Sequence, residues 1–320
     1  MESLLMNKHE HFAKKDFRSG FIALIGRPNV GKSTLVNQLV GEKVSITSPV
    51  AQTTRNRLRA ILTTPKAQLV IVDTPGIHKP HHLLGKRLVQ SARGSIAEVD
   101  LVVVIFDASS PPGKGDAFII ELLKGQKNPV LFALNKSDLV ENSYFEAREK
   151  EYRSFLPNPS WPMFSCSAIN GNGCNQLVEH ISGLLPLGPH LYPSNMVSDQ
   201  PEKILLAELI REQVLFNTRE EIPHSVAVVI DRVDENFVKG GKSSQNLRTA
   251  ILATVLVERK TQKGILIGKG GSMLKVIGSA ARIQMQKLIN GPVHLELFVK
   301  VVPNWRKSPS RLAELGYDGQ

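Results

Sequence analysis

Cysteine is scarce in this chain, with Cys166 and Cys174 alone among 320 residues. Two cysteines cannot build a disulfide framework, so a reducing compartment is expected. Long apolar runs are missing as well. No stretch reaches the roughly 18 residues of a membrane-spanning helix. The opening "MESLLMNKHEHFAKKDFRSG" lacks the extended apolar core of a secretory signal. Glu2, Glu10 and Asp16 disfavour a transit peptide, which leaves residues 1–19 as a flexible, weakly basic tail. The most informative absence is local. Between Glu258 and Glu296 there is no Asp or Glu, while Arg259, Lys260, Lys263, Lys269, Lys275, Arg282 and Lys287 fall inside that window. The formal net charge of +11 is therefore focused on one region. Such a region favours polyanions, either nucleic acid or anionic lipid.

The rest of the composition is that of an ordinary soluble protein, 42% hydrophobic and 22% charged, long enough for two domains. In the first part, the runs "FIALIG" (21–26), "AQLVIVDTPG" (67–76), "LVVVIFDAS" (101–109), "PVLFALNKSD" (129–138) and "PMFSCSA" (162–168) alternate with helix-like segments at 32–40, 84–98, 142–155 and 174–185. Short unbroken Val/Ile-rich runs suit strands buried on both faces. The alternation predicts an α/β domain with a mostly parallel sheet and helices on both faces. "RNRLRAILTT" (55–64) fits an antiparallel edge strand. A Pro/Gly/Ser-rich stretch, 184–203, reads as a linker. Beyond it come a helix (204–218), strands at 224–233 and 247–260 around a turn-rich polar stretch (234–246), a helix (273–291) and a last strand (293–302). The order α-β-β-α-α-β describes a small α+β domain. The expected division is a tail (1–19), a first domain (20–187), a linker (188–203) and a second domain with a C-terminal tail (204–320).

Two glycine-lysine loops stand out. Gly26-Arg27-Pro28-Asn29-Val30-Gly31-Lys32-Ser33, followed by Thr34, fits G-x-x-x-x-G-K-[ST] and lies between a predicted strand and helix. Its glycines let backbone N–H groups face phosphates at a helix N-terminus. Lys32 is expected to bridge the β- and γ-phosphates, and Ser33 to bind Mg²⁺. Asn135-Lys136-Ser137-Asp138 ends the fourth run. Asp138 can accept both the ring N–H and the amine of guanine, a donor pair that adenine lacks. Asn135 can meet the purine edge, the Lys136 stem can cover the base, and Ser167-Ala168 can bring a backbone N–H to the guanine carbonyl. Asp73-Thr74-Pro75-Gly76 would hold the metal through Asp73 and meet the γ-phosphate through Gly76. When that phosphate leaves, the segment has no anchor, which makes it a switch. In "SPVAQTTRNR" (48–57), Thr54 is favoured over Thr53 to complete the Mg²⁺ shell.

Taken together, "GRPNVGKSTL", "AQTTR", "DTPG", "NKSD" and "SCSA" resemble the translation-factor-like GTPases and, more narrowly, the bacterial Era-type GTPases of the TrmE-Era-EngA-like group. The resemblance runs from about residue 20 onward. The tail lies outside it, and so does the polar stretch near 234–246. It implies GTP binding and slow hydrolysis to GDP, because Ile77 stands where Ras-like enzymes place a water-orienting glutamine. Lys32, Thr54 and Gly76 would then carry catalysis electrostatically. In related GTPases an asparagine at the position of Asn29 helps bind K⁺. "HKPHH" (78–82) reads as part of a switch segment, not as a metal site, and Cys166 as a small residue beside the base pocket.

The second loop, Ile267-Gly268-Lys269-Gly270-Gly271, is too short for a triphosphate, and no Lys-Ser/Thr pair follows it. G-x-x-G between two helices in this element order resembles the type II KH domain, which carries single-stranded RNA past the glycines. Lys269 and Lys275 would supply charge, and Ile265, Ile267 and Ile277 the groove floor. By resemblance the partner is the 3′ region of 16S ribosomal RNA in the 30S subunit during its maturation. A cytoplasmic monomer is expected, with peripheral contact at the cell membrane allowed by the basic surface. Three rival readings compete. They are an ATP-using phosphotransferase, opposed by Asp138; an RNA-binding module with an inactive nucleotide site, opposed by the complete loop; and a related GTPase acting on another RNA or a tRNA-modifying partner.

Overall fold

The computed structural model describes residues 16–48, 58–77, 83–158, 161–238 and 247–317. The first unit runs β1 (Arg18–Gly26), α1 (Lys32–Val40), β2 (Leu58–Thr63), β3 (Ala67–Asp73), α2 (Leu83–Ala97), β4 (Leu101–Asp107), α3 (Lys114–Leu122), β5 (Val130–Asn135), α4 (Asn142–Phe155), β6 (Met163–Ser165) and α5 (Cys174–Leu184). Its sheet has the order β2-β3-β1-β4-β5-β6. Only β2 runs antiparallel, and it sits at the edge, as its sequence suggested. The Val/Ile runs are buried on both faces because α1 and α5 cover one side and α2, α3 and α4 the other. Helix α3 was not read from the sequence. The first strand begins at Arg18, inside the expected tail.

The second unit runs α6 (Glu202–Asn217), α7 (Ile222–Ser225), β7 (Ala227–Val238), β8 (Leu247–Val257), α8 (Lys260–Ile267), α9 (Ser272–Ile289), β9 (Val293–Val301) and α10 (Pro309–Glu314). In its sheet β8 pairs antiparallel with β7 and parallel with β9. Helices α6, α8 and α9 share one core with this sheet. Two expectations change. His224 and Ser225 belong to the short α7, and residues 234–238 extend β7 instead of forming a turn. Ladder pairing overrides the polar sequence there, with bulges between Ile230 and Arg232 and between Asp234 and Phe237. The remaining polar stretch, 239–246, and the tail, 1–15, lie outside the described residues.

The linker is irregular, but it is strapped down. The buried Gln68 on β3 accepts from the N–H groups of Leu191 and Tyr192 (2.7 and 2.9 Å) and donates to Tyr192 O (2.9 Å). Val197 O accepts from Ile61 N–H (2.9 Å), and Arg59 pairs with Asp199 (2.8 Å). The segment thus covers the outer edge of β2 and fixes where the second unit begins.

Residues beyond β9 form a hook. Trp305, fully buried, donates through Nε1 to Ser225 O (2.9 Å). With Leu312 and Tyr317 it packs against Leu84 and Leu88 of α2, so the two units share a small core.

Candidate functional site

The turn between β1 and α1 is built by its backbone. Asn29 (φ 65°) and Gly31 (φ 94°) are left-handed. A Cβ on Gly31 would lie 2.4 Å from Asn135 Nδ2, and one on Gly26 would lie 2.7 Å from Ile105 O. Glycine is therefore required by packing as well as by conformation. Pro28, Asn29, Gly31, Lys32, Ser33, Thr34, Ile46, Thr47, Ser48 and Gly76 line one cleft over the start of α1.

Lys32 reaches back over this turn, donating to Gly26 O and Arg27 O (both 3.1 Å). Burial lowers its ammonium to about 8, against the opposing pull of Asp73. An anion entering the cleft would reverse that shift. Asp73 Oδ2 accepts from Ser33 Oγ (2.8 Å) and Ser45 Oγ (2.9 Å). Two hydroxyls and a buried carboxylate, with Ser33 lining the cleft, form a hard oxygen set of the kind that suits Mg²⁺. Thr74 Oγ1 donates to Leu24 O (2.6 Å). A Cβ on Gly76 would sit 2.9 Å from Pro28 Cα, so only glycine fits there. Ile77 is buried, with its N–H on Gly26 O (3.1 Å), and cannot orient water. Thr53, Thr54 and "HKPHH" lie outside the described residues.

At the base end, Asn135 is a tie between loops. Its Nδ2 donates to Val30 O (2.8 Å), and its Oδ1 accepts from Ala168 N–H (2.9 Å). The Ala168 N–H expected to face guanine is thus held by Asn135 in this structure. Ser167 Oγ donates to Asp138 Oδ1 (2.5 Å), which orients that carboxylate. Lys136 is left-handed (φ 63°), and its Nζ pairs with Asp107 Oδ2 (2.6 Å). Cys166 is buried in the core behind Asn135, its thiol pushed up to about 12 by burial and Cys174.

In the second loop, Gly268 (φ 72°), Gly270 (φ 61°) and Gly271 (φ 80°) all have positive φ, with Gly270 and Gly271 left-handed. Their surroundings differ. A Cβ on Gly268 would meet Met273 at 2.8 Å, whereas one on Gly270 or Gly271 meets nothing within 4 Å. Gly268 is needed to close the loop, and the other two leave a bare backbone facing open space. Ile265 is half exposed and Ile267 partly buried beside the core. Ile277 faces the interior at 0% exposure, so it cannot line a groove as expected; its helical position turns it toward the sheet. Glu258, at one border of the acid-free window, is paired with Arg306, which leaves the basic face less opposed than the sequence indicates.

Sequence reasoning missed the residues that join the two units. Glu212 on α6 is 1% exposed. It accepts from Thr47 N–H (3.0 Å) and from Lys43 Nζ (2.6 Å), which also reaches Gln284 on α9 (2.9 Å). Asn37 on α1 fixes the same segment by accepting from the N–H groups of Val44 and Ser45 (3.0 and 2.9 Å). On the far side, Arg87 on α2 donates to Tyr317 O (3.0 Å). The available signal was a set of charged residues, Glu208, Arg211 and Glu212, inside a largely apolar helix, 202–217, half of which is buried.

Comparison with known proteins agrees with this layout. Residues 21–136 match the family described as 50S ribosome-binding GTPase, and residues 221–306 match the KH domain. GTPase Era from Rippkaea orientalis is 53% identical over 95% of this chain and 94% of its own length. A crystal structure of Era in complex with MgGDPNP and a segment of 16S ribosomal RNA superposes with TM-score 0.88 at 36% identity, covering 94% of this chain and 99% of that one. A variant of Aquifex aeolicus Era bound to GDP and aluminium fluoride superposes at 0.87, also with 36% identity and the same coverage.

Proposed function

The chain belongs to the Era family of GTPases, and on that premise we propose that it uses GTP hydrolysis to control its grip on the 3′ region of 16S ribosomal RNA during maturation of the small ribosomal subunit. The observation that carries this reading is the contact of Glu212, a helix residue of the RNA-binding unit, with Lys43 and Thr47 beside the nucleotide cleft. A change of nucleotide at Ser33, Asp73 and Gly76 reaches that segment directly, because Ser45 shares the Asp73 carboxylate.

Within the cleft, Gly26–Thr34 would surround the phosphates and Lys32 would offset charge that builds between the β and γ positions. Ser33 and Asp73 would hold Mg²⁺, which supplies charge neutralisation on the phosphate oxygens when bound. Asp138, oriented by Ser167, would select guanine. Buried, apolar Ile77 cannot itself position water, which accords with slow turnover. Asn29, with its left-handed backbone at the rim, would help hold K⁺ in place of an arginine finger. Hydrolysis measured in KCl should exceed that in NaCl several-fold; equal rates would remove Asn29 from this role.

The GxxG loop would pass the RNA backbone over Gly270 and Gly271, with Lys269 and Lys275 near its phosphates. Gly270→Asp is the sharpest test. Aspartate tolerates a left-handed backbone better than most residues, and its side chain would enter open space. RNA affinity should fall about 100-fold or more while basal GTP hydrolysis stays unchanged. Retained RNA affinity would overturn the assignment of this loop. The KH unit favours an RNA role over that of a GTPase without an RNA partner.

A further inference from the structure

The loop between β4 and α3 takes no part in the motifs above, yet it touches both ends of the nucleotide cleft. At one end it holds Arg27 of the phosphate turn. Asp116, fully buried, pairs with Arg27 Nε at 2.8 Å and accepts from Gly113 N–H at 2.9 Å. Ser110 Oγ accepts from Arg27 Nη2 at 3.2 Å. A side chain on Gly115 would sit 2.6 Å from Arg27 Cδ, so the Arg27 stem lies directly over this glycine. At the other end the loop holds the base-recognition turn. Asp107 pairs with Lys136 Nζ, and Ala108 N–H donates to Asn135 O at 2.8 Å. Between the two ends, the buried Tyr152 hydroxyl is shared by Asp107 O and Ser110 O, each at 3.1 Å.

The charges suit a permanent fixture. Burial works to raise the Asp107 carboxyl, but the hydrogen bonds from Lys136 and Ser109 outweigh it and leave it lowered. The Tyr152 phenol is pushed up to about 12, by burial first and then by Asp116, so it remains a donor.

We propose that residues 107–116 form a brace that keeps the phosphate loop and the base-recognition loop at a fixed separation, with Arg27 and Asp107 as its two positioning residues. The inference rests on the reading of this cleft as the guanine-nucleotide site. Two loops held by the brace and by the direct Asn135–Val30 bond bind the two ends of a nucleotide as a unit; without the brace that single bond is left, and the ligand must supply the rest of the ordering.

The test uses the full chain and a fluorescent GDP analogue. Asp107→Asn and Arg27→Met should each raise Kd about tenfold. The double variant should add less than about twofold, because either change alone opens the brace. Asp107→Asn should leave the binding of inorganic pyrophosphate, which reaches only the phosphate loop, unchanged, and Arg27→Lys should recover part of the loss. Should Arg27→Met fail to fold, Gly115→Ala, whose methyl displaces the Arg27 stem, takes its place with the same expectation. Unchanged GDP affinity in the single variants, or an additive loss of about 100-fold in the double, overturns the brace. Lys32→Ala and Asp138→Ala separate the two readings. If they abolish GDP binding while the brace variants bind normally, only the brace falls; if they too bind normally, the nucleotide site is wrong.

Discussion

The two glycine-lysine loops differ most in what surrounds them. In the first, Gly26 and Gly31 are hemmed in by Ile105 and Asn135, and Lys32 is buried. In the second, Gly270 and Gly271 face nothing within 4 Å, and Lys269 is exposed. An enclosed loop fits a ligand with two ends that can be held at a set distance. An open loop fits a polymer whose backbone continues on both sides. Glycine suits both because it lets a backbone approach an anion closely, but the first glycines make room for neighbouring protein, whereas the second pair borders open space.

The comparison sharpens if the loops are coupled, and Glu212 is the residue through which coupling would pass. Glu212→Gln keeps the shape of the side chain but removes the charge facing Lys43. Linkage requires that any nucleotide effect on RNA affinity be matched by an equal RNA effect on nucleotide affinity, with typical factors of about 5 to 150. In the variant the ratio of RNA affinities with a GTP analogue and with GDP should collapse toward one. Titrations of RNA in both nucleotide states measure this, and an undiminished ratio would show that the loops communicate by another route, such as the α2–Trp305 packing.

Much of this architecture was legible in the sequence because one signal dominated each element. Strands β1, β3, β4 and β5 are buried on both faces and read as unbroken apolar runs. The turn at 26–33, "DTPG" and "NKSD" stood out in the sequence because their glycines and polar residues recur at fixed spacings after apolar runs, and the structure places each of them at the end of a strand. What escaped depended on distant partners. The strap is held by Gln68, more than a hundred positions away, and no local pattern marks a linker as pinned. The hook carrying Trp305 is too short for periodicity to register. Ile277 was placed in a groove by its nearness to the glycines, whereas helical phase turns it into the core. Glu212, Asp107 and Asp116 belong to no motif, because each acts on backbone or on a charge supplied by another element.

Enclosure also has a consequence for pH, and this separates the first loop from the second by a smaller effect. Burial lowers Lys32 to about 8, with Asp73 as the charged group opposing that shift. A bound triphosphate adds negative charge beside the ammonium and raises its pKa again. Binding therefore favours the protonated lysine. Below about pH 8 the lysine is already charged, and affinity is insensitive to pH. Above it each binding event must take up a proton, so affinity declines until the pKa of the bound state is reached. Between pH 7 and 9 the Kd for GTP should rise about fivefold to tenfold. Calorimetry at pH 8.5 in two buffers of different ionisation enthalpy should detect the proton taken up. A flat profile with no uptake would mean that the ammonium is not held in the buried position over Gly26 and Arg27, and the contrast with the open loop would then rest on the glycines alone.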